Sequence, residues 1–315
     1  MAKFHKGRFD FIGKAKMVIP FTIALVLFGL FEIAYEGFDY GIDFAGGTEI
    51  QVQFEGEVTR EELEATLAGL GYEKNSLQKF GETNEWLIRL ESIKADSDKE
   101  SNEKLNAMIK AVTGGVTTNF ANQKPNVRRV DSVGPQVGDE LKRNGLLAAF
   151  YSLLMILIYI GLRFDYKYAP GAVFCLFHDT IVTLSIFAIF DREVNVQTMA
   201  AILPLIGYSL NDTIITFDRI RENEGLFRDA PFGEVVNRSI NDMLSRTVLT
   251  TFTTLVACST LYYFADGTIR DIAFTLGIGI VIGTYSSIYV ASMLVIVMDR
   301  YERRREEARL RTARA

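Results

Sequence analysis

Three charged residues sit in stretches that are otherwise apolar: Asp179 in FCLFHDTIVTL, Asp212 in IGYSLNDTIITF and Arg246 in NDMLSRTVLTTFTT. A charge at the centre of a bilayer costs at least about 2.5–3.5 kcal/mol on insertion scales, so such residues usually face a bundle interior and serve an ion or proton path. An aspartate in that setting can alternate between neutral and ionised forms as water access changes, and a nearby arginine favours the ionised form. The chemistry suggested is a proton relay of Asp212 and Arg246, joined by Asp179.

The competing use of such residues is an ion pair that clasps helices together. The relay is the preferred reading for Asp212 and Arg246. For Asp179 and its neighbour His178 both uses stand open. A His-Asp dipeptide also occurs in metal phosphohydrolases, but His5 and His178 are the only histidines. That is too few for such a ligand set, so no metal site is expected.

Hydroxyl side chains accompany the charges. Ser209, Asp212 and Thr216 share one helical stripe, with Thr213 beside them; Arg246, Thr250, Thr253 and Thr254 form another, and Asp179 with Thr183 a third. Such hydroxyls hold water or cross-bond helices. Pro204 frees a backbone carbonyl and bends the helix that carries Asp212.

Other chemistries lack their residues. There is no GxxxxGK[ST], GIDFAGG is not GxGxxG, and no Ser/His/Asp or Cys/His set is present. No catalytic residue is assigned, no enzyme activity is expected, and no cofactor is expected beyond a coupling ion. Protons are the preferred ion, with sodium left open. Cys175 and Cys258 lie in apolar runs and read as small packing residues.

The elements that position these residues are membrane helices. Apolar runs cover Lys16–Tyr35, Leu146–Leu162, Ala169–Phe190, Val196–Phe217, Met243–Phe264 and Ile272–Met298. About 20 residues at 1.5 Å each cross a ~30 Å hydrocarbon core, so six spans are expected. The first has a basic start but no small-residue cleavage site, and reads as a retained signal anchor. Gly279 and Gly283 form a small-xxx-small pair that reads as a close-packing face of the last span.

Lys3, Lys6, Arg8, Lys14 and Lys16 precede the first run. Arg163 and Lys167 follow the second, and Arg219, Arg221, Arg228, Arg238 and Arg246 cluster after the fourth. Arg300, Arg303, Arg304 and Arg305 follow the last, while the links around Asp191–Asn195 and Asp266–Arg270 hold one arginine each. With six spans, every basic segment falls on one side, which places both termini in the cytoplasm. The net charge of -5 says little about partners, because where each sign of charge sits matters more; no nucleic-acid partner is expected.

The division expected is a cytoplasmic N-terminus over 1–15, a span over 16–35, an extracytoplasmic domain over 36–143, further spans over 144–298 with a cytoplasmic loop at 218–242, and a cytoplasmic tail over 299–315. In the outer domain, GGTEIQVQF alternates as a strand. Thr59 and Glu62 have capping-box spacing, and Gly71 stops the helix that follows. Ser76–Phe80 and Glu85–Leu90 read as strands around a turn at Gly81–Asn84. Ser97–Val112 reads as a helix stopped by Gly114 and Gly115, and Asn126–Val133 as a last strand. The order βαββαβ predicts a ferredoxin-like sandwich.

Several of these segments together resemble the SecD/SecF family of preprotein-translocase accessory subunits, within the resistance–nodulation–division (RND) superfamily. GIDFAGGTEI after the first span is similar to the family's entry motif, and SLNDT at Ser209–Thr213 followed by DRIREN at Asp218–Asn223 to its fourth-span signature. Ser245–Thr247 and the Gly-rich last span match as well. The resemblance implies a SecF-like chain that pairs with SecD in a twelve-helix assembly. It implies work with the SecYEG channel, in which the proton-motive force helps to draw unfolded preproteins outward through the lipid bilayer. It places proton coupling on Asp212 and Arg246, and implies movement of the outer domain about Phe38–Gly47 and Gly134–Arg143. The alternative is a stand-alone proton-driven RND-type exporter of small amphipathic molecules.

Overall fold

The computed structural model describes residues 9–72, 75–80, 84–91, 98–190, 192–265 and 268–314. Among these, six helices are long and apolar enough to cross a membrane. They are α1 (Phe11–Tyr35), α5 (Pro135–Arg163), α6 (Ala169–Ile189), α7 (Val196–Leu226), α8 (Phe232–Phe264) and a last helix made of α9 (Thr268–Ser286) and α10 (Ser292–Arg314), joined by a π-helical turn, Ser287–Ala291. The chain forms two compact units, one of residues 1–39 and 148–315, the other of residues 40–147.

In the second unit, one helical turn, α2 (Ile42–Ala45), leads into β1 (Gly47–Gln53); then come α3 (Arg60–Gly69), β2 (Asn75–Phe80), β3 (Glu85–Leu90), α4 (Asp98–Asn119) and β4 (Asn126–Val133). The sheet is antiparallel in the order β2-β3-β1-β4, which is the ferredoxin-like arrangement of βαββαβ. Its core closes on Ile50, Val52, Leu63, Leu67, Ile88 and Val112, all fully buried. The capping box forms as its spacing predicts: Thr59 Oγ1 accepts from the Glu62 amide, and the Glu62 carboxylate accepts from the Thr59 amide at 3.0 Å. The Gly81–Asn84 turn lies outside the described residues except for Asn84, and so does Ser97. The helix expected to stop at Gly114 runs on to Asn119, because Val116 and Phe120 bury against the sheet.

The glycine pair that opens β1 is dictated by geometry. Gly46 and Gly47 have φ of 71° and 134°, and a Cβ on Gly47 would lie 2.6 Å from the Leu90 carbonyl oxygen. Side chains rarely adopt such backbone, so glycine carries the chain from α2 into the sheet.

The helical unit differs from the apolar runs at its edges. The stretch 218–242, expected as a loop, is helical except for residues 227–231. Hydropathy marks membrane depth, whereas these helix extensions are held by polar bonds. Arg219 pairs with Asp242 at 2.7 Å, and buried Asn223 donates to Ser239 at 2.9 Å and Asp242 at 3.1 Å. Asn237 Oδ1 accepts from the Phe11 amide at 2.8 Å, capping α1 from α8.

Polar contacts define two ends of this bundle. At one, Arg163 pairs with Asp218, Arg221 with Asp165, and Lys167 with Glu224 and Asp299. At the other, Val194 donates to the Asp39 carbonyl at 2.7 Å, and Arg192 lies 3.9 Å from Asp271.

Candidate functional site: the polar interior of the helical unit

The small residues of the last span bring α9 against α7. A Cβ on Gly279 would overlap Leu205, and one on Gly283 would lie 2.9 Å from Ser209 Cβ. This close approach sets hydroxyls of α7 and α9 beside the aspartate of α6.

Asp179 is wholly buried at that meeting point. Its Oδ2 accepts from Ser209 Oγ and, at 2.9 Å, from Ser286 Oγ. Its Oδ1 lies 2.9 Å from His178 Nδ1. Thr213 Oγ1 and Ser287 Oγ are 3.0 Å apart, and Ser287 also reaches the Ser209 carbonyl at 3.4 Å. Tyr285 stacks obliquely near His178, with ring centroids 6.3 Å apart, and its hydroxyl bonds Thr22 of α1. Thr216 is buried one turn beyond Thr213.

Asp212 stands apart from this network. It is half-buried, and among the described residues it takes part in no hydrogen bond or ion pair. Arg246 is exposed on α8, near enough for its charge to act on Asp212, yet no hydrogen bond or ion pair joins the two side chains among the described residues. Helix phase explains this: Thr247, the next residue, takes the buried position on α8. The hydroxyls expected to support Arg246 turn into their own helix. Thr250 Oγ1 donates to the Arg246 carbonyl at 3.0 Å and Thr254 Oγ1 to the Thr250 carbonyl at 2.9 Å. Ser209, expected as a support for Asp212, bonds Asp179 instead.

Ser286, Ser287 and Tyr285 were missed in the sequence reading. A polar doublet inside an apolar run was their signal, by the same cost argument that singled out the aspartates. Among the described residues no group of His, Cys, Asp and Glu is placed to hold a metal.

Comparison with known proteins agrees with this architecture. The family model described as the SecD/SecF GG motif matches residues 37–58, and that of the protein export membrane protein SecD/SecF, C-terminal, matches residues 114–301. The chain belongs to the SecD/SecF family. A protein translocase subunit SecF of Calditerrivibrio nitroreducens is 39% identical over 302 residues, covering 95% of this chain and 97% of that one. The subunit of the same name from Magnetococcus marinus is 40% identical, with 95% of each chain covered. Among solved structures, SecDF from Thermus thermophilus, a translocon-associated membrane protein, superimposes with a TM-score of 0.82 at 33% identity. That match covers 95% of this chain and 40% of the longer SecDF chain. For this member of the SecD/SecF family, the GG motif is the Gly46–Gly47 entry to β1, and the C-terminal region holds the polar interior.

Proposed function

We propose that this chain is the SecF-type subunit of a SecD–SecF assembly that uses the proton-motive force to assist preprotein export through the SecYEG channel. The observation that carries this reading is end-to-end similarity to proteins named translocase subunit SecF. That the chain corresponds to 40% of a SecDF chain supports a SecD-type partner supplying the remainder. The small-molecule exporter finds no support among these relatives.

The assembly lies in the bacterial inner membrane with both termini in the cytoplasm, an orientation that the distribution of basic residues supports. Asp212 and Arg246 form the coupling pair. One proton crossing 100 mV releases about 2.3 kcal/mol, enough to bias a conformational equilibrium. Among the described residues Asp212 has no hydrogen-bonded partner, so its proton can leave or return without breaking a bond. Exposed Arg246 is free to meet it, or a group of the partner, when the helices shift.

The test is gradient-dependent preprotein translocation into inverted membrane vesicles. Asp212→Asn keeps the shape of the side chain and removes its titration. It is expected to abolish the gradient-dependent component while assembly with the partner survives, and Arg246→Met to impair it. Running the assay with sodium and potassium salts separates the two coupling ions. Wild-type gradient dependence in Asp212→Asn would reduce the pair to a structural role.

A further inference from the structure

The cluster around Asp179 is left unexplained by a relay at Asp212. The side chains of His178 and Asp179 are both fully buried. The titratable groups that face the carboxylate among the described residues are His178 and Cys175 on α6, and Tyr285 on α9 lies beside His178. α7 contributes Ser209, with Asp212 one turn further on, and α1 reaches the cluster through Thr22 and the Tyr285 hydroxyl. Among the described residues no lysine or arginine pairs with Asp179.

Charge counting decides what such a site holds. With one exchangeable proton, on the carboxyl or on the imidazole, the dyad is neutral overall. Without it, a net negative charge stays in a water-poor interior, which is heavily penalised. The ligand the cluster is built to take is therefore a proton. Two further observations support a working site. Among the described residues, Nε2 of His178 and Oγ1 of Thr183 are buried without a hydrogen-bond partner; orphans of this kind are uncommon and call for a strained or functional explanation. Ser286 directly precedes the π-helical turn Ser287–Ala291, a feature found frequently at functional sites.

We propose that His178 and Asp179 form a second proton-binding site of this chain, a buried dyad clamped by Ser209 and Ser286 and distinct from Asp212. The proton comes from water on one side of the membrane and adds to the dyad without any other bond being made. A neutral carboxyl is a weaker acceptor than a carboxylate, so loading on the carboxyl loosens the ties that hold α7 and α9 to α6.

Infrared difference spectroscopy of the full chain, reconstituted in lipid with its partner subunit, reads the site directly as pH is stepped. The expected result is a carboxylic-acid or imidazolium band that titrates in wild type and in Asp212→Asn. It is lost in Asp179→Asn and displaced in midpoint by His178→Gln. In the Asp212→Asn background, a band that survives both dyad substitutions, or the absence of any titrating band, overturns the proposal. Should Asp179→Asn fail to assemble, Ser286→Ala removes one donor from Oδ2 and must shift the band; an unchanged band overturns the proposal too. A midpoint that follows sodium concentration at fixed ionic strength would overturn the assignment to protons. Because the readout is titration, its failure is separable from failure of the translocation reading.

Discussion

Asp179 and Asp212 are both aspartates in apolar helices, and the fold treats them differently. Asp179 is locked by two serine hydroxyls and an imidazole, whereas Asp212 is half-buried with no bonded partner among the described residues. The sequence singled out both by insertion cost but did not show which one would be locked, because the deciding hydroxyls, Ser209 and Ser286, come from other helices. What it did show was the small residue that makes the cluster possible. Gly283 faces Ser209 so closely that a methyl group would meet its Cβ at 2.9 Å, while Gly207 on α7 meets nothing within 4 Å. Gly283→Ala is therefore expected to destabilise the protein by about 1–3 kcal/mol, the usual cost of overpacking, while Gly207→Ala is tolerated. Thermal unfolding of the two variants in detergent checks this; equal midpoints would refute the close-packing role of Gly283.

At the scale of elements, the ferredoxin-like unit was the most legible part, since period-2 strands and the Thr59–Glu62 capping box are local signals. Helix ends were less so. Gly114 and Gly115 read as a stop, yet α4 continues because Val116 and Phe120 gain a buried position, a tertiary gain that outweighs about 1 kcal/mol of propensity per glycine. The spans likewise outrun their apolar runs, since ion pairs and asparagine caps hold helix in water as packing does in lipid. The ferredoxin-like unit's core cluster is drawn wholly from its own residues. An isolated Gly37–Lys142 fragment should therefore show a cooperative thermal transition by circular dichroism, and Leu67→Ala, at a fully buried position, should cost it about 2–5 kcal/mol. A random-coil spectrum from the unmutated fragment would show that the unit does not fold alone.

For the whole molecule, the decisive property is which way it sits in the membrane. The basic-residue argument depends on the number of spans, because one missed helix would reverse every later link. The structure supplies an independent constraint in the ion pairs of the helical unit. Arg163, Asp165 and Lys167 bond to Asp218, Arg221, Glu224 and Asp299, so the links after the second, fourth and sixth spans share one end. Asn237 and Asn241, from α8 just beyond the fourth-span link, bond the backbone of Phe9 and Phe11, which brings the start of α1 to that end too. The basic segments after the second, fourth and sixth spans lie there, and basic links stay in the cytoplasm. Residues 227–231 should accordingly be cytoplasmic and the ferredoxin-like unit outside. Single cysteines at exposed positions test this, Asp229→Cys for the first and Glu103→Cys for the second. The native Cys175 and Cys258 are buried within spans and should not react. A membrane-impermeant maleimide added to intact spheroplasts should label Glu103→Cys at once and Asp229→Cys only after the membrane is opened. Labelling of Asp229→Cys in sealed spheroplasts would invert the topology.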